Sequence, residues 1–184
     1  MALTKTSTFD FVKLFARAVT ETIEEATNTQ IYVSRTAMQV EGVQIRGDLG
    51  VFMAFSGDYN GIMILNFDAE SAVEVVGAAL RNMSMPEEEI PKYAGSDEVR
   101  QSIGELSNQV IGKCRAMVEE RYGLTSLTNI PAVVPITVPI ALSMVSKEPK
   151  AFESVRVQFT TQNHNKFYME MALEPFRVVP FEAS

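Results

Sequence analysis

The chain has 184 residues, 46% hydrophobic and 21% charged, with a formal net charge of -7 and one cysteine. That is enough apolar material for one domain with a real core, expected over residues 1–184. It rules out an intrachain disulfide, and the acidic balance argues against nucleic acid and against an anionic membrane surface as partners.

The opening MALTKTSTFD carries no apolar h-region, so no secretory signal is expected there. The longest apolar run, residues 130–142, is shorter than the about 20 residues a bilayer span needs and is interrupted by prolines. A cytoplasmic protein is expected. In residues 8–27, Phe11, Leu14, Phe15, Val19, Ile23 and Ala26 recur at spacings of three and four, which predicts an amphipathic helix. Residues 29–33 and 37–45 are rich in β-branched types and read as extended. Residues 51–55 and 62–67 read as two strands, with SGDYNG supplying the turn between them. Asp68 is expected to cap a second helix over residues 69–81, with Val73, Val76, Ala79 and Leu80 inward. Residues 82–95 form a polar connection, and their acidic run reads as a solvated turn. Pro131, Pro135 and Pro139 share one parity, so residues 131–142 are expected to be irregular or on a sheet edge. Two alternating strands, around residues 155–159 and 167–173, close the chain through a QNHNK hairpin. The order predicts an α+β fold, an antiparallel β-sheet with helices packed on it.

The helix expected between Ser96 and Gly123 is the most informative stretch. Ser96 supplies an N-cap, Asp97 and Glu98 place negative charge in the first turn, and Gly123 supplies a stop. At about 100° per residue, Val99, Ile103, Leu106, Val110, Cys114 and Met117 form one apolar stripe. Gln101, Glu105, Asn108 and Gly112 point the opposite way. Glu105 and Asn108 lie one turn apart, and Gly104 and Gly112 flank them. A glycine inside a helix costs roughly 0.5–1 kcal/mol relative to alanine. Two of them here suggest close approach to the backbone; a solvated face with two tolerated glycines is the alternative.

Other chemistry is thin. The single histidine, His164, falls in a hairpin loop and has no partners at triad or zinc spacing. Cys114 lies on the apolar stripe and reads as a buried, inert thiol. No phosphate-cradling glycine loop and no metal-ligand cluster is evident, so no cofactor of its own is expected. Glu105 and Asn108 remain. A carboxamide holds a donor and an acceptor on one plane, so it can hold and aim a water molecule. A neighbouring carboxylate accepts a cation from a partner. The pair suits work on another protein's reactive group. Glu-x-x-Asn occurs twice, at Glu25/Asn28 and at Glu105/Asn108; only the second is followed, after twenty-two residues, by a proline, Pro131.

With that spacing, and with the text IGELSNQVIGKCRAM around it, the chain resembles the CheC/CheX/FliY family of chemotaxis phosphatases, CheX most of all. The family signature begins with Asp or Ser where this chain has Gln101, and the 82–95 connection is long for CheX. The resemblance implies a protein that binds a phosphorylated CheY-like response regulator and hydrolyses its aspartyl phosphate. Asn108 would orient the attacking water and Glu105 would pair with the regulator's lysine. The magnesium would be the regulator's own. Gln101, Gly104, Gly112 and Pro131 would support the site, Pro131 by fixing the start of a strand and Gly112 by permitting close approach. It also implies one site per chain, since the first helix lacks the full signature, and a possible homodimer through sheet edges. The alternative is a non-catalytic adaptor that binds a receiver domain or a motility component with the same helix.

Overall fold

A computed structural model describes residues 8–142 and 152–175. Three helices, α1 (Thr8–Thr27), α2 (Ala69–Asn82) and α3 (Asp97–Tyr122), lie on one face of an antiparallel sheet. Its strands are β1 (Tyr32–Val33), β2 (Met38–Val40), β4 (Leu49–Gly57), β5 (Gly61–Phe67), β6 (Ser126–Thr128), β7 (Ala132–Pro135), β9 (Glu153–Thr160) and β10 (Lys166–Leu173). The main order is β1-β9-β10-β5-β4-β6; β2 also pairs with β9, and β7 with β4. The expected α+β architecture is therefore the observed one.

Alternation along the strands explains the layers. Leu49, Val51, Met53 and Phe55 of β4 face the helices, as do Met63, Leu65 and Phe67 of β5. They meet Phe11, Phe15 and Val19 of α1, Val76 of α2, and Val99, Ile103 and Val110 of α3. Each such side chain contributes about 1.5–3 kcal/mol relative to exposure. The opposite sheet face is apolar too, through Ile62, Ile64 and Ala172. It is covered by a ribbon of two short strands, β3 (Val43–Ile45) and β8 (Ile140–Leu142).

That ribbon corrects two sequence expectations. Residues 37–45 are not one extended segment: β2 joins the main sheet and β3 leaves it. Residues 131–142 are likewise not one strand but are split between β7 and β8, although the expected edge position and irregularity hold. Periodicity reports that a strand is half-buried, not which sheet buries it. The prolines do fall where the parity rule places them, Pro131 just before the edge strand β7, Pro135 at its end and Pro139 in the break after it.

The cap of α2 is a third correction. Asp68 occupies the N-cap position but its side chain makes no capping bond. Asp48, from the turn before β4, caps instead: its Oδ2 accepts from the Ala69 backbone N–H at 2.7 Å. Gly47 permits this turn with φ of 79°, where a Cβ would lie 2.6 Å from the Phe67 carbonyl oxygen. Burial first, then Asp48 and Glu70, push the Asp68 carboxyl above its ordinary value. α3 is capped as read. The Ser96 hydroxyl accepts from Val99 N–H at 3.2 Å, and Gly123 closes the helix in the left-handed conformation with φ of 67°.

Candidate functional site

α3 presents its buried stripe to the sheet and its other face to solvent. Val99, Ile103, Leu106, Val110 and Cys114 are buried, and Met117 is half-buried. Gln101, Glu105, Asn108 and Gly112 are exposed. The helix is fixed at both ends by its caps and along its length by the core, so this row of polar groups is held on a rigid element.

The members of the row are not equivalent. Gln101 Nε2 donates to Glu105 Oε1 at 3.2 Å, a one-turn bridge that holds the carboxylate along the helix axis. Asn108 stands a turn further on, and its carboxamide makes no hydrogen bond to any described residue. It is exposed and retains its donors and acceptor for a visitor. Gly104 and Gly112 have different reasons to be glycine. A Cβ on Gly104 would meet Val133 Cγ2 of β7 at 3.3 Å, so the close approach here is made by the chain itself. A Cβ on Gly112 would meet nothing within 4 Å. Pro131 is half-buried and immediately precedes β7, the strand that carries Val133. Proline, strand and glycine thus form one buttress behind the polar row. Val133 was not singled out from the sequence, because only the fold brings it to Gly104.

The second Glu-x-x-Asn has a different fate. Glu25 Oε1 accepts from Lys113 Nζ at 2.7 Å, and Glu21 Oε2 lies 3.2 Å from the same ammonium. Those bonds hold the Lys113 ammonium above its ordinary value; the Arg17 guanidinium, with Lys113 helping, holds Glu21 below its own. Asn28 lies past the end of α1 with φ of 51°. This copy ties α1 to α3.

Cys114 is fully buried, and burial pushes its thiol well above the ordinary range, which removes it as a nucleophile. His164 is exposed at the β9–β10 turn with φ of 67°. Among the described residues no group of three or more His, Cys, Asp or Glu side chains is arranged to hold a metal ion, and no helix is long and apolar enough to cross a membrane.

A capped helix on an antiparallel sheet, with an outward Glu-x-x-Asn buttressed by a proline-led strand, defines a chain with the CheX and CheC-like fold. Solved structures agree. A CheX protein from Desulfovibrio desulfuricans matches with a TM-score of 0.69 at 23% identity, covering 90% of this chain and 99% of that one. A chain of a CheX–CheY–BeF3–Mg complex from Borrelia burgdorferi matches with a TM-score of 0.60 at 14% identity, covering 90% and 98%. A chain of a FliM–SpeE complex from Helicobacter pylori matches with a TM-score of 0.57 at 11% identity, covering 90% and 85%. By sequence the chain belongs to the DUF3334 family, described as a protein of unknown function, whose model matches residues 3–182. No curated protein sequence matches it.

Proposed function

We propose that this chain is a phosphatase for an aspartyl-phosphorylated, CheY-like receiver domain, a single CheX-like unit with one site on α3. The observation that carries the reading is Asn108: an exposed carboxamide with no described partner, one turn from a carboxylate, on a helix fixed at both ends. In this reading Asn108 enters beside the acyl phosphate. Its side-chain oxygen accepts from a water while its N–H groups hold the phosphoryl oxygens or the water itself, which sets the water in line. The water oxygen bonds to phosphorus and the bond to the aspartyl oxygen breaks. The receiver's carboxylate and inorganic phosphate are released. Glu105, already aligned by Gln101, accepts the receiver's active-site lysine. The magnesium that neutralises the phosphoryl oxygens belongs to the receiver. The fold neighbour solved with CheY supports the partner class.

The test is loss of phosphate from phosphorylated receiver domains with substoichiometric protein. Acceleration by the wild type, removed in Asn108→Ala with binding retained, supports the reading; binding with unchanged decay defeats it. That second result favours an adaptor, a reading with its own support in the Gln101–Glu105 bridge, which takes up part of the carboxylate, and in the fold neighbour from the FliM–SpeE complex.

Pairing of two copies through sheet edges fits the β1–β2 edge in this reading. Those strands pair only with β9 among the described residues, hold no proline, and expose Tyr32, Val33 and Met38.

A further inference from the structure

Ile130 is 85% exposed, more than any other large hydrophobic residue among those described. Its exposure is built into the sheet. β6 and β7 both pair with β4, but between Thr128↔Phe55 and Ala132↔Phe52 three residues, 129–131, face two. This is a bulge. The Ala54 N–H it leaves unpaired is taken by the Asn129 side-chain Oδ1 at 2.6 Å, and Asn129 Nδ2 donates to the Ile130 carbonyl at 2.8 Å. Asn129 thereby pins the backbone that turns Ile130 outward.

The chain path brings the bulge near the level of Asn108. The chain leaves α3 at Gly123, reverses, and runs back along the helix until Val133 meets Gly104. Ile130 lies three positions before Val133, at most about 10 Å of extended chain, which equals roughly six or seven helical residues. Ile130 therefore sits at about the level of residue 110. Around the helix, Gly104 marks the side facing the strand. At about 100° per residue, Asn108 is turned some 40° from it and Glu105 about 100°. Of the two, Asn108 is turned closer to the strand side of the helix.

The free side of β7 is a poor place for a second copy to add a strand. Ile136 N–H donates to Asp48 O at 2.9 Å, so the N–H groups of residues 132 and 134 also point at β4. Positions 131, 133 and 135 point the other way, where no described strand pairs, and two of these three are proline. Only Val133 offers a donor there, and an edge stripped of donors resists sheet extension. What remains open is approach across the α3 face.

Resting on the phosphatase reading, we infer that Ile130 is the apolar docking contact for the receiver domain, seating it so that Asn108 reaches the acyl phosphate. An exposed apolar side chain that becomes fully desolvated near the centre of an interface can anchor it. The experiment compares wild type, Ile130→Ser, Ile130→Leu and Asn108→Ala as full chains, against a receiver domain in its phosphorylated and beryllofluoride-bound forms. Ile130→Ser is expected to raise the half-saturating concentration and the Kd about tenfold or more, to leave the maximal decay rate and the melting temperature unchanged, and to be rescued by Ile130→Leu. Asn108→Ala is expected to do the reverse, losing rate and keeping affinity. Wild-type affinity in Ile130→Ser overturns the inference and leaves the phosphatase reading standing. So does a dimer of the wild type that Ile130→Ser dissociates, which assigns the residue to a second copy. A wild type that neither binds nor dephosphorylates any receiver removes the functional reading, and this inference with it.

Discussion

The chain carries Glu-x-x-Asn twice, and the two copies show how little a short motif decides by itself. At Glu105/Asn108 the motif lies in the middle of a 26-residue helix, faces solvent, and leaves the carboxamide without a described partner. At Glu25/Asn28 it straddles the end of α1. The carboxylate there is held by Lys113, and the asparagine has left the helix in the left-handed region. The helix interior fixes the relative directions of residues three apart, whereas a helix end does not. Both asparagines are exposed, but only the interior copy holds carboxylate and carboxamide in one fixed row; at the helix end the carboxylate is tied to Lys113 and the asparagine has left the row.

The largest expected effect follows directly. Asn108→Ala should lower the acceleration of phosphate loss by on the order of a hundredfold, the scale of losing a positioning group, while Asn28→Ala should leave it at the wild-type value. Equal losses from both would erase the comparison. Glu105→Gln is next. Removing a charge-assisted bond worth about 1.5–3 kcal/mol should cost roughly ten- to a hundredfold in half-saturating receiver concentration, and Glu25→Gln should cost nothing in the same assay.

The two glycines of α3 sharpen the contrast through stability. Gly104→Val forces a branched side chain against Val133, and should destabilise by roughly 1–3 kcal/mol in chemical denaturation, as overpacking does, with loss of activity as β7 shifts. Gly112→Ala adds a methyl group to open space inside a helix, and should stabilise by about 0.5–1 kcal/mol. If Gly112→Ala keeps full activity, its backbone is not approached by the receiver.

The smallest effect belongs to the clamp at the other motif. The Glu21 carboxyl is held below its ordinary value of 4.5 in the folded chain by Arg17, aided by Lys113. Its contribution is therefore complete above that value and is lost as pH falls through the lower folded-state pKa. The melting temperature of Glu21→Gln should lie slightly below wild type at neutral pH. The gap should close as the pH is taken below 4.5, and a gap that widens on acidification would reverse the assignment.

Much of this was legible without coordinates, and the reason is local physics. Ser96 and Gly123 announce α3 because capping involves neighbours in sequence. The solvent-facing row is set by 3.6 residues per turn, and β4, β5, β9 and β10 by alternation. The cap of α2 was misassigned because its carboxylate, Asp48, comes from a turn 21 residues away, and Asp68, correctly placed in sequence, makes no capping bond.

The sequence by itself determined the helices, the main strands and which residues of α3 turn outward, because those depend on contacts within a few residues. Tertiary structure alone decided that Gly104 receives Val133, that Lys113 silences Glu25, and that an asparagine-pinned bulge leaves Ile130 exposed. Each of these joins residues distant in the chain, and no local period encodes where two such segments will meet.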